Sequence, residues 1–332
     1  MVYEDGTVAY EEITDDDKVM YQFPDRFICS KEELVGEMVS RLKLTRRDVV
    51  IIDRTTGIGQ AIMQNAGPAK IGIVIHADHF SEGSTDAEHV LWNNYYEYAF
   101  SQHKHIKFYV ASTDTQNRLL KKQFKEYKGI GPKIVTIPVG SIDELKRPKK
   151  SRKKSSLITA SRLADEKHVD WLIEAVVKAR EQVPDVSLDI YGKGGEEPKL
   201  KKMIEVLKCG DYVHLCGQQN LDDVYKNYEA YLAGSTSEGF GLTLMEAVGS
   251  GLPIIGFDVR YGNQNFIDDE KNGYLIAVND KMEKKERIQK LTECIIKLFT
   301  KADLEAFHQH SYAKAKMYMT EEVKEQWAKL LK

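Results

Sequence analysis

The segment Glu238-Gly239-Phe240-Gly241-Leu242-Thr243-Leu244-Met245-Glu246 holds the densest chemistry in the chain. Its pattern predicts a strand-to-helix turn carrying Glu238 and a helix carrying Glu246. The glycines between them let the backbone approach a ligand closely. The free N–H groups of the helix start face an anion, and the helix dipole adds to the attraction. Two carboxylates flanking such a helix start suit a phosphorylated sugar: hydroxyls bind the glutamates and a diphosphate binds the N–H groups. A capped surface helix with incidental acids would look similar. The Gly-Phe-Gly turn favours the ligand.

A second cluster is Ser161-Arg162-Leu163-Ala164-Asp165-Glu166-Lys167. Arg162 and Lys167 flank one turn at the end of an expected strand. Both can reach a diphosphate at the strand ends, the arginine as a fork and the lysine as a point charge. Other patterns are weaker. Gly57-Ile58-Gly59 lacks the third glycine of a dinucleotide fingerprint, and Gly192-Lys193-Gly194-Gly195 lacks a P-loop ending. Such turns fit a strand-end site without naming its ligand. His76, Asp78 and His79 suggest a metal only until strand alternation is applied, which sends neighbours to opposite faces. No metal site is expected.

These residues need strands and helices to hold them. From Leu157 onward, short apolar runs alternate with helical spacing. Strands are expected at Leu157–Ala160, Val186–Tyr191, Val213–Cys216, Ala230–Ala233 and Pro253–Phe257. Helices are expected around Leu172–Ala179, Leu200–Leu207 and Leu242–Val248. That alternation implies a parallel sheet covered on both faces, with ligands at the carboxyl ends of its strands. The first half is a shorter α/β unit. It has strands at Asp48–Asp53, Lys70–His76, Lys107–Thr113 and Lys133–Val139, and helices around Leu91–Phe100 and Thr115–Tyr127. Before it, Val2–Ile13 with an Asp5-Gly6 turn reads as a β-hairpin.

The 332 residues suit about two domains. With 48 Lys+Arg against 51 Asp+Glu, the chain lacks the basic excess of a general nucleic-acid binder. One local exception is Lys146–Lys154, KRPKKSRKK, read as an exposed connector between domains; contact with anionic lipid or nucleic acid stays open. No apolar run is long enough to span a bilayer, and the acidic N-terminus lacks a signal pattern. Four cysteines without a CxxC fit a reducing compartment. A cytoplasmic protein is expected, with peripheral contact at the inner membrane face left open.

Arg162, Lys167 and the stretch from Glu238 to Glu246 resemble the donor site of the family-4 retaining glycosyltransferases. The resemblance implies an α/β chain of GT-B fold: two Rossmann-like parallel-sheet domains with a cleft between them. Upstream, Asp53–Gln60 (DRTTGIGQ), Val74–Phe80 (VIHADHF) and Ile137–Asp143 (IPVGSID) are similar to one branch of that family. Those are the accessory-Sec enzymes that move N-acetylglucosamine from UDP-GlcNAc to Ser/Thr of serine-rich repeat adhesins, with a related partner subunit. By this resemblance Arg162 and Lys167 bind the diphosphate and Glu246 the ribose. Gly239, Phe240, Gly241, Leu242 and Thr243 lie along the phosphates, Glu238 lies at the sugar, and His76 lies near the reacting centre. Retention of anomeric configuration is implied. Because the cations already neutralise a diphosphate, no metal cofactor is expected.

Against the family's pattern, the chain begins late. The expected layout is a remnant of a β-rich insert over 1–30 and a partial N-terminal domain over 31–145. The connector follows at 146–154, and the nucleotide-sugar domain with C-terminal helices at 155–332. The opening strand and its glycine loop are missing from this layout, so donor binding should survive while acceptor positioning suffers. Two other readings stay open here: a teichoic-acid glucosyltransferase, and a donor-binding subunit without catalysis.

Overall fold

The computed structural model describes residues 10–15, 18–279 and 281–332. Two compact units divide the chain. The first runs to Ala111 and includes Asn117–Thr136; the second comprises Ser112–Gln116 and Ile137–Lys332.

The first unit opens with an antiparallel sheet of β1 (Glu11–Asp15), β2 (Lys18–Gln22) and β3 (Phe27–Ile28). Here Ile13 pairs forward with Met20. The expected hairpin turn at Asp5-Gly6 lies outside the described residues. Helix α1 (Lys31–Arg41) starts at Ser30, whose hydroxyl accepts from the Glu33 N–H at 3.1 Å. Then come β4 (Val49–Ile52), α2 (Gly59–Asn65) and β5 (Lys70–Ile75), followed by β6 (Phe80–Ser81), β7 (Leu91–Trp92) and α3 (Glu97–Ser101). The unit continues with β8 (Phe108–Ala111), α4 (Asp114–Lys128) and β9 (Ile134–Thr136). Strands β4-β5-β8-β9 form one parallel sheet in that order, as the four apolar runs predict.

The helix expected over Leu91–Phe100 begins only at Glu97. Leu91 and Trp92 instead pair with Ser81 and Phe80. Asn93 breaks the helical path: its amide donates to Asp78 O at 2.9 Å and its oxygen accepts from the Tyr95 N–H at 3.0 Å. That local capture of backbone groups competes with helix.

The second unit is built from β10 (Ser156–Ala160), α5 (Val169–Ala179), β11 (Ser187–Tyr191), α6 (Glu197–Val206), β12 (Val213–Gly217) and β13 (Ala230–Leu232). After these come α7 (Leu242–Gly249), β14 (Ile254–Phe257), α8 (Gly262–Phe266) and β15 (Gly273–Ile276). Helices α9 (Lys284–Thr300), α10 (Leu304–Ala315) and α11 (Thr320–Leu331) close it. All six strands are parallel, in the order β12-β11-β10-β13-β14-β15. Along β10, Leu157 enters one core cluster and Ile158 the other, so alternate residues fill both faces. The sequence reading missed β15, which follows a short loop and is only four residues long.

The basic stretch 146–154 is a strap on the second unit rather than a free connector. The Lys146 N–H donates to Gly249 O, and the Arg147 guanidinium lies 4.3 Å over the Tyr312 ring. Arg152 donates to the carbonyls of Lys226, Tyr228 and Ser250, each at 2.8 Å. A guanidinium fork can satisfy several fixed carbonyls at once, which composition alone does not reveal.

Candidate functional site

In a sheet of this order the strand sequence reverses between β10 and β13. A crevice opens there, outside the carboxyl ends of the strands. The second unit has such a cleft, about 860 Å³ in volume. Ser161 and Arg162 after β10, Tyr191–Gly194 at the end of β11, and Gln218 and Gln219 after β12 line it, with Thr243 of α7.

Gly241 caps α7 with φ of +86°. A Cβ there would lie 2.8 Å from Leu244 Cδ1 and 3.2 Å from Glu238 Cγ, so both backbone and space call for glycine. The N–H groups of Leu244 and Met245 both reach Gly241 O, leaving those of Leu242 and Thr243 outside the helical ladder. Beneath them, the Tyr231 hydroxyl donates to Ala160 O at 2.9 Å and meets the Thr243 hydroxyl at 3.1 Å. Burial pushes the Tyr231 pKa up to about 12, so it stays protonated and ties β10 to the start of α7. Phe240 has only its backbone to offer a ligand. Its ring is buried against Phe266 and Tyr318, with centroids 5.2 and 6.1 Å away. Leu242 is exposed.

The charged residues divide into pairs. Lys167 Nζ donates to Glu238 Oε2 at 2.8 Å, and these side chains are only 14% and 20% exposed. Arg162 donates to Glu166 at 2.9 Å but is 79% exposed, free to swing toward a ligand. Glu246 does not line the same cleft. It faces a second cavity of about 460 Å³ with Asp222 and Tyr225, and its carboxylate accepts from the Tyr225 hydroxyl at 3.0 Å. Although that cavity is open to solvent, the protein crowded around the carboxyl raises its pKa, against the Tyr225 hydrogen bond. The two cavities are close neighbours in the chain. Leu221 lines the first and Asp222 the second, and Thr243 and Glu246 stand about one turn apart on α7.

His76 belongs to the first unit, at the end of β5. Its Nε2 lies 3.0 and 3.1 Å from the two Asp53 carboxylate oxygens, and Tyr96 receives its backbone N–H at 3.2 Å. His79 points into the core instead, where its Nε2 meets Gln123 Oε1 at 2.7 Å. Among the described residues no group of three or more His, Cys, Asp or Glu is placed to hold a metal ion.

Residues 141–300 match the family model for glycosyl transferases group 1. A curated relative, the UDP-N-acetylglucosamine–peptide N-acetylglucosaminyltransferase GtfA subunit of Streptococcus gordonii, is 51% identical over 331 residues. The crystal structure of the pneumococcal O-GlcNAc transferase GtfA with UDP and GlcNAc superposes with a TM-score of 0.92 at 46% identity, covering 99% of this chain and 65% of that one. Over nearly all of its own length the chain is similar to the GtfA subunits, and it has the GT-B fold. The crystal structure of a GtfA/B complex agrees, with a TM-score of 0.90 at 50% identity, covering 99% of this chain and 66% of that one. The alignment with the Streptococcus gordonii relative takes in 99% of this chain and 65% of the relative's length.

The structure gathers Arg162, Lys167, Glu238 and Gly239–Thr243 around one end of the second unit's sheet. The sequence reading left Tyr191, Gln218, Gln219 and Tyr231 out of the site. The first three follow or end strands β11 and β12, at the carboxyl ends where ligands of a parallel sheet bind. Tyr231 carried no local signal, because its role depends on β10 lying beside β13.

Proposed function

We propose that this chain is the GtfA-type subunit of a retaining glycosyltransferase. It transfers N-acetylglucosamine from UDP-GlcNAc to Ser/Thr hydroxyls of a serine-rich adhesin polypeptide, together with a GtfB-like partner. The observation that carries the reading is the convergence of Arg162, the Lys167–Glu238 pair and the α7 N-terminus at the switch point of the second unit. The names of the 46–51% identical relatives support the sugar, the peptide acceptor and the partner. In this reading the two cations and the helix N–H groups stabilise charge growing on the departing UDP. Glu238 holds the sugar, Glu246 holds the ribose, and His76 acts near the reacting centre. Four free thiols suit a cytoplasmic site of action, and the exposed lysines of the 146–154 strap are the face for any peripheral membrane contact.

The test is to incubate the chain, with and without a GtfB-like partner, with UDP-GlcNAc and an unmodified serine-rich peptide, then weigh the peptide. Addition of N-acetylhexosamine is expected. An unmodified peptide, or glucose added in preference from UDP-glucose, would overturn the reading.

Donor binding in this reading uses protein cations alone. UDP affinity measured by calorimetry should therefore be the same in EDTA as in Mg²⁺ or Mn²⁺. Loss in EDTA with rescue by either ion would show that a metal does this work. A ribose on Glu246 gives a second expectation. Its raised pKa means protonation begins above the ordinary glutamate value of about 4.3. UDP affinity should thus fall on acidification through a pH above that value. Glu246→Gln, weaker at neutral pH, should lack that part of the fall; identical pH profiles would remove Glu246 from the donor site.

A further inference from the structure

One wall of the donor cleft is held from behind by a chain of hydrogen bonds. Tyr191 ends β11 and lines the cleft, with 9% of its surface accessible. Its hydroxyl lies 2.9 Å from that of Tyr228, which is 7% accessible, and the rings meet edge to face. The Tyr228 hydroxyl donates to Asp189 Oδ2 at 2.6 Å. The other carboxylate oxygen, Oδ1, takes His214 Nδ1 at 2.7 Å, and Lys153 Nζ stands 3.8 Å from Oδ2.

The chain has a fixed direction. Burial works against charge on Asp189, but the bonds from Tyr228 and His214 outweigh it and hold the pKa below the usual carboxylate range. Asp189 is therefore an acceptor only. The single Tyr228 proton points to it, so the Tyr228 oxygen must accept from Tyr191. None of these three side chains is among the charged or glycine-rich groups that mark the donor site.

We propose that Tyr228 and Asp189 are positioning residues for donor binding, acting through Tyr191. This rests on the reading of the cleft as the UDP site. The bond between the two hydroxyls holds the Tyr191 ring in the cleft wall. Without that bond the ring is no longer fixed and shifts into the cleft, where it competes with the nucleotide.

The experiment is calorimetric titration of the whole chain with UDP. Tyr228→Phe should weaken binding roughly three- to tenfold, the scale of one buried hydrogen bond, with unchanged stoichiometry. Damage to the fold alone would lower the stoichiometry and leave affinity as it was. Tyr191→Phe should cost a similar factor, and adding Tyr228→Phe to it should cost nothing more, because both remove the same bond. Asp189→Asn keeps an oxygen for Tyr228 and should retain more affinity than Asp189→Ala; this pair decides the matter if Tyr228→Phe does not fold. Wild-type affinity in Tyr228→Phe, or fully additive losses in the double variant, would overturn the proposal alone. A wild-type chain that binds no UDP would overturn the donor reading and this proposal with it.

Discussion

Lys167→Ala is expected to weaken UDP binding by about 10- to 150-fold, the range set by a hydrogen bond between charged groups. The lysine does two things in the structure. It brings a positive charge to the strand ends, and it neutralises Glu238 at 2.8 Å in surroundings where both side chains are mostly covered. Removing it therefore takes away an attraction and also leaves a bare carboxylate beside the proposed diphosphate site. Breaking a covered ion pair from one side is costly for this reason. Transfer should fall further than binding, because Glu238 loses the partner that fixes its geometry. Arg162→Ala should cost less: its guanidinium is 79% exposed and already shared with Glu166. Glu238→Gln provides the complementary split, with UDP affinity near wild type and transfer strongly reduced. Calorimetry with UDP and transfer assays on the three variants check the ranking. A change under threefold in Lys167→Ala, or Arg162→Ala as the more damaging change, would show that the phosphate charges are met elsewhere.

Most of the second unit was legible because its strands are buried on both faces. Runs such as Leu157-Ile158-Thr159-Ala160 are too short for a helix, and their alternation with helical spacing leads to a parallel sheet. The Glu238–Glu246 segment was legible because a positive-φ glycine and a helix start leave a local pattern. Features made by distant residues were not. Tyr231 matters only because β13 lies beside β10, and Asp189 only because Tyr228 and His214 come to it from other elements. The strap from Lys146 to Lys154 misled for a related reason: charge implies exposure, but Arg152 finds three carbonyls that no local pattern announces. Phe240 sits inside the most informative segment and still turns into the core, since a turn can offer its backbone to a ligand while its side chain packs.

Gly192→Ala is expected to abolish measurable UDP binding while the chain still folds. The glycine has φ of +133°, a region that L side chains rarely adopt, and a Cβ there would lie 1.9 Å from Ser161 O. That oxygen is backbone and cannot rotate away. The surroundings cannot yield easily either. The Gly192 N–H donates to Gly217 O at 2.8 Å, and the Ser161 N–H donates to Tyr191 O at 3.1 Å. Gly192 is thus clamped between the ends of β10 and β12. A methyl group must push the Ser161–Arg162 turn away from β11, which moves two walls of the cleft at once. The strained backbone and the overpacking should together lower stability by roughly 2–5 kcal/mol. A shift of about 1 Å at a site can cost on the order of 10²-fold in rate, so function should be lost before the fold is. Gly195→Ala supplies the control three residues along, where a Cβ would meet nothing within 4 Å. It should match wild type in melting temperature and UDP affinity. Thermal melts and UDP titrations of the two variants decide the point, and a Gly192→Ala chain that binds UDP as tightly as Gly195→Ala would mean that the turn after β10 does not shape the donor cleft.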